Sequence, residues 1–97
     1  MKKEFCIMPI DQSYGIQRTT LYCERHEVFF GKNRQRSIKD GLVVFLTPEM
    51  HRGTIGVHGK CGHGFDTYLK QKGQQVWQEY YNKTKEDFIK EYGKSYI

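Results

Sequence analysis

His26, Glu27, His51 and His58 are the residues of this chain whose types and spacing could do chemistry on a phosphodiester bond. Hydrolysing that bond requires a water made nucleophilic, charge neutralised on the phosphoryl oxygens and a stabilised leaving oxygen, and one divalent cation with one base can supply all three. Imidazole suits Zn, Ni, Mn or Co better than Mg. His26 precedes His51 by 25 positions and His58 by 32, so the three share an ion only if the intervening chain doubles back. His51 and His58 are seven apart, which would put them on one helical face, but Gly53 and Gly56 interrupt a helix there. A short helix followed by a tight glycine turn could still return His58 to the same ion. Taken singly, each is an ordinary surface residue; their joint meaning comes from where the surrounding elements put them. The fourth histidine, His63, reads as structural or as a nucleic-acid contact.

Those elements are a strand, a basic loop, a strand and a short helix. Residues 26–30 are rich in strand formers, residues 31–41 are polar, and residues 42–46 are apolar throughout, which predicts a second strand covered on both faces. Thr47 can cap a helix, Pro48 suits its first position and Glu49 favours the positive end of its dipole. Leu69, Val76, Trp77 and Tyr80 fall along one face of a helix over about 66–82. Thr84 and Asp87 resemble a capping box for a second helix over 85–92, with Gly93 as its C-terminal cap. Both helices are packing elements. Ahead of the first strand, Phe5-Cys6-Ile7 and Leu21-Tyr22-Cys23 flank a turn-rich stretch at 11–15, which reads as a loose hairpin or a surface loop. The fold class is α+β, a single domain over 1–97 whose core unit spans about 21–60.

Bulk properties narrow the partners. At 97 residues, with 37% apolar and 14% aromatic content, the chain is globular, and its Phe and Tyr residues are the expected core. No apolar run approaches the roughly 20 residues that cross a bilayer, and the N-terminus lacks a signal-peptide core, so a cytoplasmic protein with no membrane partner is expected. A net charge of +5 favours a polyanion. Lys32, Arg34, Arg36 and Lys39 put four positive charges into eight residues of the loop, where they would grip phosphates without reading sequence. Taken alone, that run is a solvated hairpin tip. Cys6, Cys23 and Cys61 are odd in number and form no C-x-x-C, which predicts reduced, buried thiols. A structural zinc site using Cys6, Cys23 and two histidines is a rival whose spacing matches no finger pattern.

His26-Glu27-Val28-Phe29-Phe30-Gly31, Asn33-Arg34, Ser37, Asp40-Gly41-Leu42-Val43-Val44, Leu46-Thr47-Pro48-Glu49-Met50-His51 and Gly56-Val57-His58-Gly59 resemble the small phage and prophage HNH, or ββα-metal, endonucleases. The likeness runs from about Cys23 to the C-terminus. It implies a hairpin-plus-helix core with two C-terminal packing helices, one divalent cation (Mg, Mn, Ni or Zn), DNA as partner and hydrolysis of its phosphodiester bonds. Position by position, it implies His26 and Glu27 as the paired catalytic positions and His51 and His58 as metal ligands, joined by His26 if Glu27 fills the base slot. Which of His26 and Glu27 is the general base stays open: alignment on Val28 favours Glu27, and proton affinity near neutrality favours His26. This chain departs from the family in lacking the Cys-x-x-Cys of zinc-knuckle members. The middle Asn also has no clean equivalent, Asp40 and Gly41 being nearest. The alternative function is a noncatalytic DNA-binding or recombination accessory protein that keeps the fold. One active site cuts both strands only as a homodimer or by rebinding.

Overall fold

Val43–Leu46 is the strand around which everything else is arranged, and all four of its residues are buried. In the computed structural model, which describes residues 5–10, 16–17, 22–54 and 56–97, this strand (β3) is the middle of a three-stranded antiparallel sheet. A short edge strand, Ile16–Gln17 (β1), pairs with it on one side, and Glu24–Glu27 (β2) on the other, in the order β1-β3-β2. The register sets Ile16 and Glu24 against Leu46, and His26 against Val44. The turn expected at 11–15, and Leu21 beside it, lie outside the described residues. Ile16, expected in the hairpin or loop ahead of the first strand, is instead a buried sheet position.

Two expectations for the first strand and its loop are corrected. The strand covers Glu24–Glu27 and not 26–30: the Val28 amide makes one last bond across to the Leu42 carbonyl (3.0 Å), and Phe29 then turns away, both side chains entering the core at 0% and 2% exposed. The Phe29 amide then donates to the Ser37 hydroxyl (3.2 Å), which itself donates to the Leu42 carbonyl (2.6 Å). The basic stretch that follows is no open loop: Gly31–Asn33 forms a 3-10 turn and Arg34–Lys39 a helix (α1). Arg, Gln and Lys lose little side-chain freedom in a helix. Ser37, fully buried, turns inward to fasten that helix to both flanking strands.

Pro48–Arg52 forms the short helix (α2) expected after β3, with the Thr47 hydroxyl accepting from the Met50 amide. The long helix, His63–Tyr81 (α3), begins three residues earlier than its apolar pattern predicts. Its Gly73 is a packing device: a Cβ there would stand 3.1 Å from both Phe29 and Val28. Asn82 ends the helix in the left-handed conformation. Lys85–Tyr92 (α4) starts with the Thr84–Asp87 capping box in full, both reciprocal bonds being present.

Sheet and helices share one hydrophobic cluster that includes Val28, Phe29, Leu42, Leu46, Leu69, Trp77, Phe88 and Tyr92. Asp40 pins the helices to the end of α1, accepting from the Trp77 indole (3.1 Å) and the Tyr92 hydroxyl (2.7 Å). The aromatic residues are not all core: Phe5, Phe30, Tyr22 and Tyr80 are exposed. The expectation of buried thiols is also corrected, since Cys6 and Cys61 are exposed, and all three cysteines are free of disulfides. Among the described residues, no helix is long and apolar enough to cross a membrane.

Candidate metal centre

Strand alternation gives β2 one inward row, and Glu24 and His26, two positions apart, belong to it. His26 is only 2% exposed. Its Nε2 is buried and has no hydrogen-bond partner among the described residues. An unsatisfied buried polar atom costs about 1–3 kcal/mol, so its retention calls for a reason.

His51 sits in the last turn of α2. Its Nδ1–H donates to the Glu24 carboxylate at 2.7 Å, and Glu24 is held in turn by the Arg52 guanidinium, through Nε at 3.0 Å and through Nη2. With Nδ1 committed to the carboxylate, the lone pair of His51 lies on Nε2, the arrangement that orients metal-ligating histidines. The His51 and Arg52 contacts hold the Glu24 carboxyl below its ordinary range.

His58 returns to the same place through a backbone device. After α2 stops at Gly53, the Val57 amide donates to the Met50 carbonyl (2.8 Å), the His58 amide to the His51 carbonyl (3.0 Å) and the Cys61 amide to the Thr54 carbonyl (2.7 Å). Strands of backbone this close leave no room for side chains. A Cβ on Gly59 would land on the Gly53 carbonyl oxygen, and one on Gly62 on that of Gly56. Buried Val57 anchors the turn in the core, and His58 beside it stays exposed.

The three imidazoles thus meet. Ring centroids lie 5.3 Å apart for His26 and His51, 5.0 Å for His26 and His58, and 4.8 Å for His51 and His58. One nitrogen from each falls within 4.8 Å of the others. Phe30 closes one side, its ring 5.6 Å from His26 and 5.1 Å from His58. Burial, then the nearby His58, His51 and Lys70, press the His26 imidazole down to about 3. Burial also lowers His58, against the opposing pull of Asp66 and Glu27. Both are therefore neutral at physiological pH and present lone pairs, as a cation requires. A buried nitrogen without a partner among the described residues, two further imidazoles with a nitrogen within 4.8 Å and a carboxylate orienting one of them are a donor set that suits a divalent cation such as Zn, Ni, Mn or Co.

Glu27 is not one of the converging groups. Its carboxylate accepts from the Arg34 Nε at 2.6 Å and lies 3.5 Å from the Arg25 Nε. Arg36, expected on DNA, donates to the Glu91 carbonyl (2.6 Å) and to Asn33 (3.4 Å) and faces the Glu91 carboxylate (3.5 Å). Lys32 and Lys39 are exposed on the 3-10 turn and α1. Of the four basic residues, two are therefore engaged within the fold. No cysteine joins the histidine group among the described residues.

Sequence reasoning missed Glu24, although strand alternation from His26 was a signal that could have found it. Ser37 stands among the residues that carry the resemblance, but no local signal gives its structural role. The connection between β2 and β3 is tied by the Ser37 hydroxyl and by the bonds from the Leu42 amide to the Ser37 carbonyl and from the Val28 amide to the Leu42 carbonyl. Comparison with protein-family models, with curated proteins and with solved structures returns no match to this chain.

Proposed function

We propose that the chain is a metal-dependent endonuclease of the ββα-metal type that hydrolyses DNA phosphodiester bonds. The observation that carries this reading is the convergence of His26, His51 and His58, one ring nitrogen from each within 4.8 Å of the others, together with a His26 Nε2 that is buried and has no hydrogen-bond partner among the described residues. The order β2, α1 connection, β3, α2 is the one that a ββα unit requires. His26, His51 and His58 would hold the cation. The chemistry that such an ion supplies when bound is Lewis-acid neutralisation of charge on the phosphoryl and leaving oxygens.

The convergence of His26 with the two later imidazoles favours it as a ligand; of the two candidate bases that leaves Glu27, whose carboxylate would have to leave Arg25 and Arg34 to meet the water. That carboxylate takes a proton from water as the water oxygen bonds to phosphorus and the bond to the leaving oxygen breaks. Arg34 fixes the direction of the Glu27 carboxylate, and Lys32 and Lys39 remain to hold phosphates.

A supercoiled-plasmid assay with Mn, Mg, Ni or Zn tests this. Nicked or linear product is expected with at least one ion, and its loss in His58→Ala and Glu27→Gln, with EDTA abolishing it in the parent protein. One observation favours a noncatalytic DNA-binding accessory role instead: the Glu27 carboxylate is already engaged by two arginines. DNA binding with no cleavage under any of the four ions would select that role.

A further inference from the structure

A cleft of about 500 Å³ lies between the first turns of α3 and the C-terminal tail, its lining distinct from that of the candidate metal centre. His63, Asp66 and Lys70 line one wall, Lys94 and Tyr96 the other. Lys70 links the two places. Its ammonium stands 4.4 Å from the centre of the Phe30 ring, the same ring that packs against His26 and His58. On its other side it faces the Tyr96 ring at 5.8 Å, and Lys94 faces that ring at 4.9 Å.

The balance of charge in the cleft is cationic. Lys70 is bonded to Asp66 Oδ2 at 3.0 Å, while Lys94 makes no ion pair among the described residues. Asp66 Oδ1 is buried and without a hydrogen-bond partner among the described residues, so a small rotation of the side chain would present an unused acceptor to an amino or hydroxyl donor. Two ammonium groups, an aromatic ring and one spare acceptor are the complement of a nucleotide: phosphate, base face and base or sugar donor. The volume suits an object of that size. The arginines of α1 that would otherwise guide a strand are held by Glu27 and Glu91.

We propose that this cleft binds one nucleotide of the substrate strand next to the bond that is cut, with Lys70 and Lys94 on its phosphates and Tyr96 against its base. The proposal rests on the nuclease reading for its orientation, but binding can be measured apart from cleavage. The probe is a fluorescein-labelled oligothymidylate, titrated with the full chain in EDTA across a salt series. Single-strand binding loses about 0.7 in its log–log salt slope for each phosphate contact removed. Lys94→Gln, at an exposed site, should lower the slope by about 0.7, and Lys70→Gln with Lys94→Gln by about 1.4, with roughly tenfold weaker binding at low salt. Lys70→Arg keeps the charge and should retain the parent slope. Lys83→Gln with Lys85→Gln removes the same charge elsewhere and should leave the slope within about 0.3 of the parent.

Equal losses in the cleft and control pairs, or no binding by the parent chain, overturn the cleft. Cleavage of plasmid that persists unchanged in the cleft variants, with unchanged oligonucleotide affinity, also overturns it and spares the nuclease reading. Cleft-dependent binding with no cleavage under any ion does the reverse: the cleft stands as a nucleotide site and the nuclease reading fails.

Discussion

Glu24 makes no contact with a substrate in any reading of the site, yet it governs how His51 can act. Its carboxylate fixes the His51 tautomer by accepting from Nδ1, and Arg52 fixes the carboxylate. Such outer carboxylates raise the basicity of the ligating nitrogen and hold the ring in place. Glu24→Gln keeps an acceptor oxygen but removes the charge, and Glu24→Ala removes both. We expect metal affinity to fall about 10-fold for the first and toward 100-fold for the second, the range found for outer-shell partners. Calorimetric titration with Zn or Ni checks this, and unchanged affinity in Glu24→Ala would show that packing alone orients His51. Glu27, three residues on, has the opposite character. Its carboxylate is turned to Arg34 on α1 and to Arg25 on its own strand, and it bonds no histidine.

At the scale of elements, the joint between β2, α1 and β3 hangs on Ser37. Replacing it by Ala leaves the buried Phe29 amide without its acceptor and removes the donor to the Leu42 carbonyl. A stability loss of about 1–3 kcal/mol is expected, read as a lower urea midpoint with unchanged slope. A change below about 0.5 kcal/mol would mean that the backbone bonds suffice. That joint also explains what the sequence conceals. The continuous apolar run of β3, the Thr47-Pro48 start of α2 and the Thr84–Asp87 box are local signals, and each element stands where its signal puts it. Helix α1 has six residues, less than two turns, too short for a period to emerge from its polar composition. Strand β1 has two residues whose pairing is decided by the exposed edge of β3 and not by their own pattern. For the site, the glycine density at 53–62 was legible as a turn, but the return of His58 depends on backbone packing between Gly53 and Gly59. Only the folded geometry displays that packing.

Across the whole molecule, a 97-residue chain with one cluster of buried side chains has little stability to spare. It nevertheless keeps, on the edge strand β2, a buried imidazole whose Nε2 has no partner among the described residues. That is a stability cost which the proposed metal centre would account for, and it gives opposite expectations for the metal-free and metal-bound protein. His26→Leu replaces the partnerless polar group by an apolar one of similar reach, so the metal-free variant should melt higher than the parent, by the equivalent of about 1–3 kcal/mol. The parent should gain instead from the ion: at 100 times the dissociation constant, binding to the folded state adds about 2.7 kcal/mol. For a domain of this size that is a rise of roughly 11–22 °C, reduced by whatever the unfolded chain's histidines and cysteines bind. Melting curves of both proteins in EDTA and in saturating Zn or Ni separate the two effects. At 1,000 times the dissociation constant, where the ion adds about 4.1 kcal/mol, the order should invert, with His26→Leu above the parent without metal and below it with metal. A His26→Leu variant that melts lower in EDTA would mean that the imidazole is held by its packing, and a parent indifferent to every ion would remove the metal from the centre of this fold.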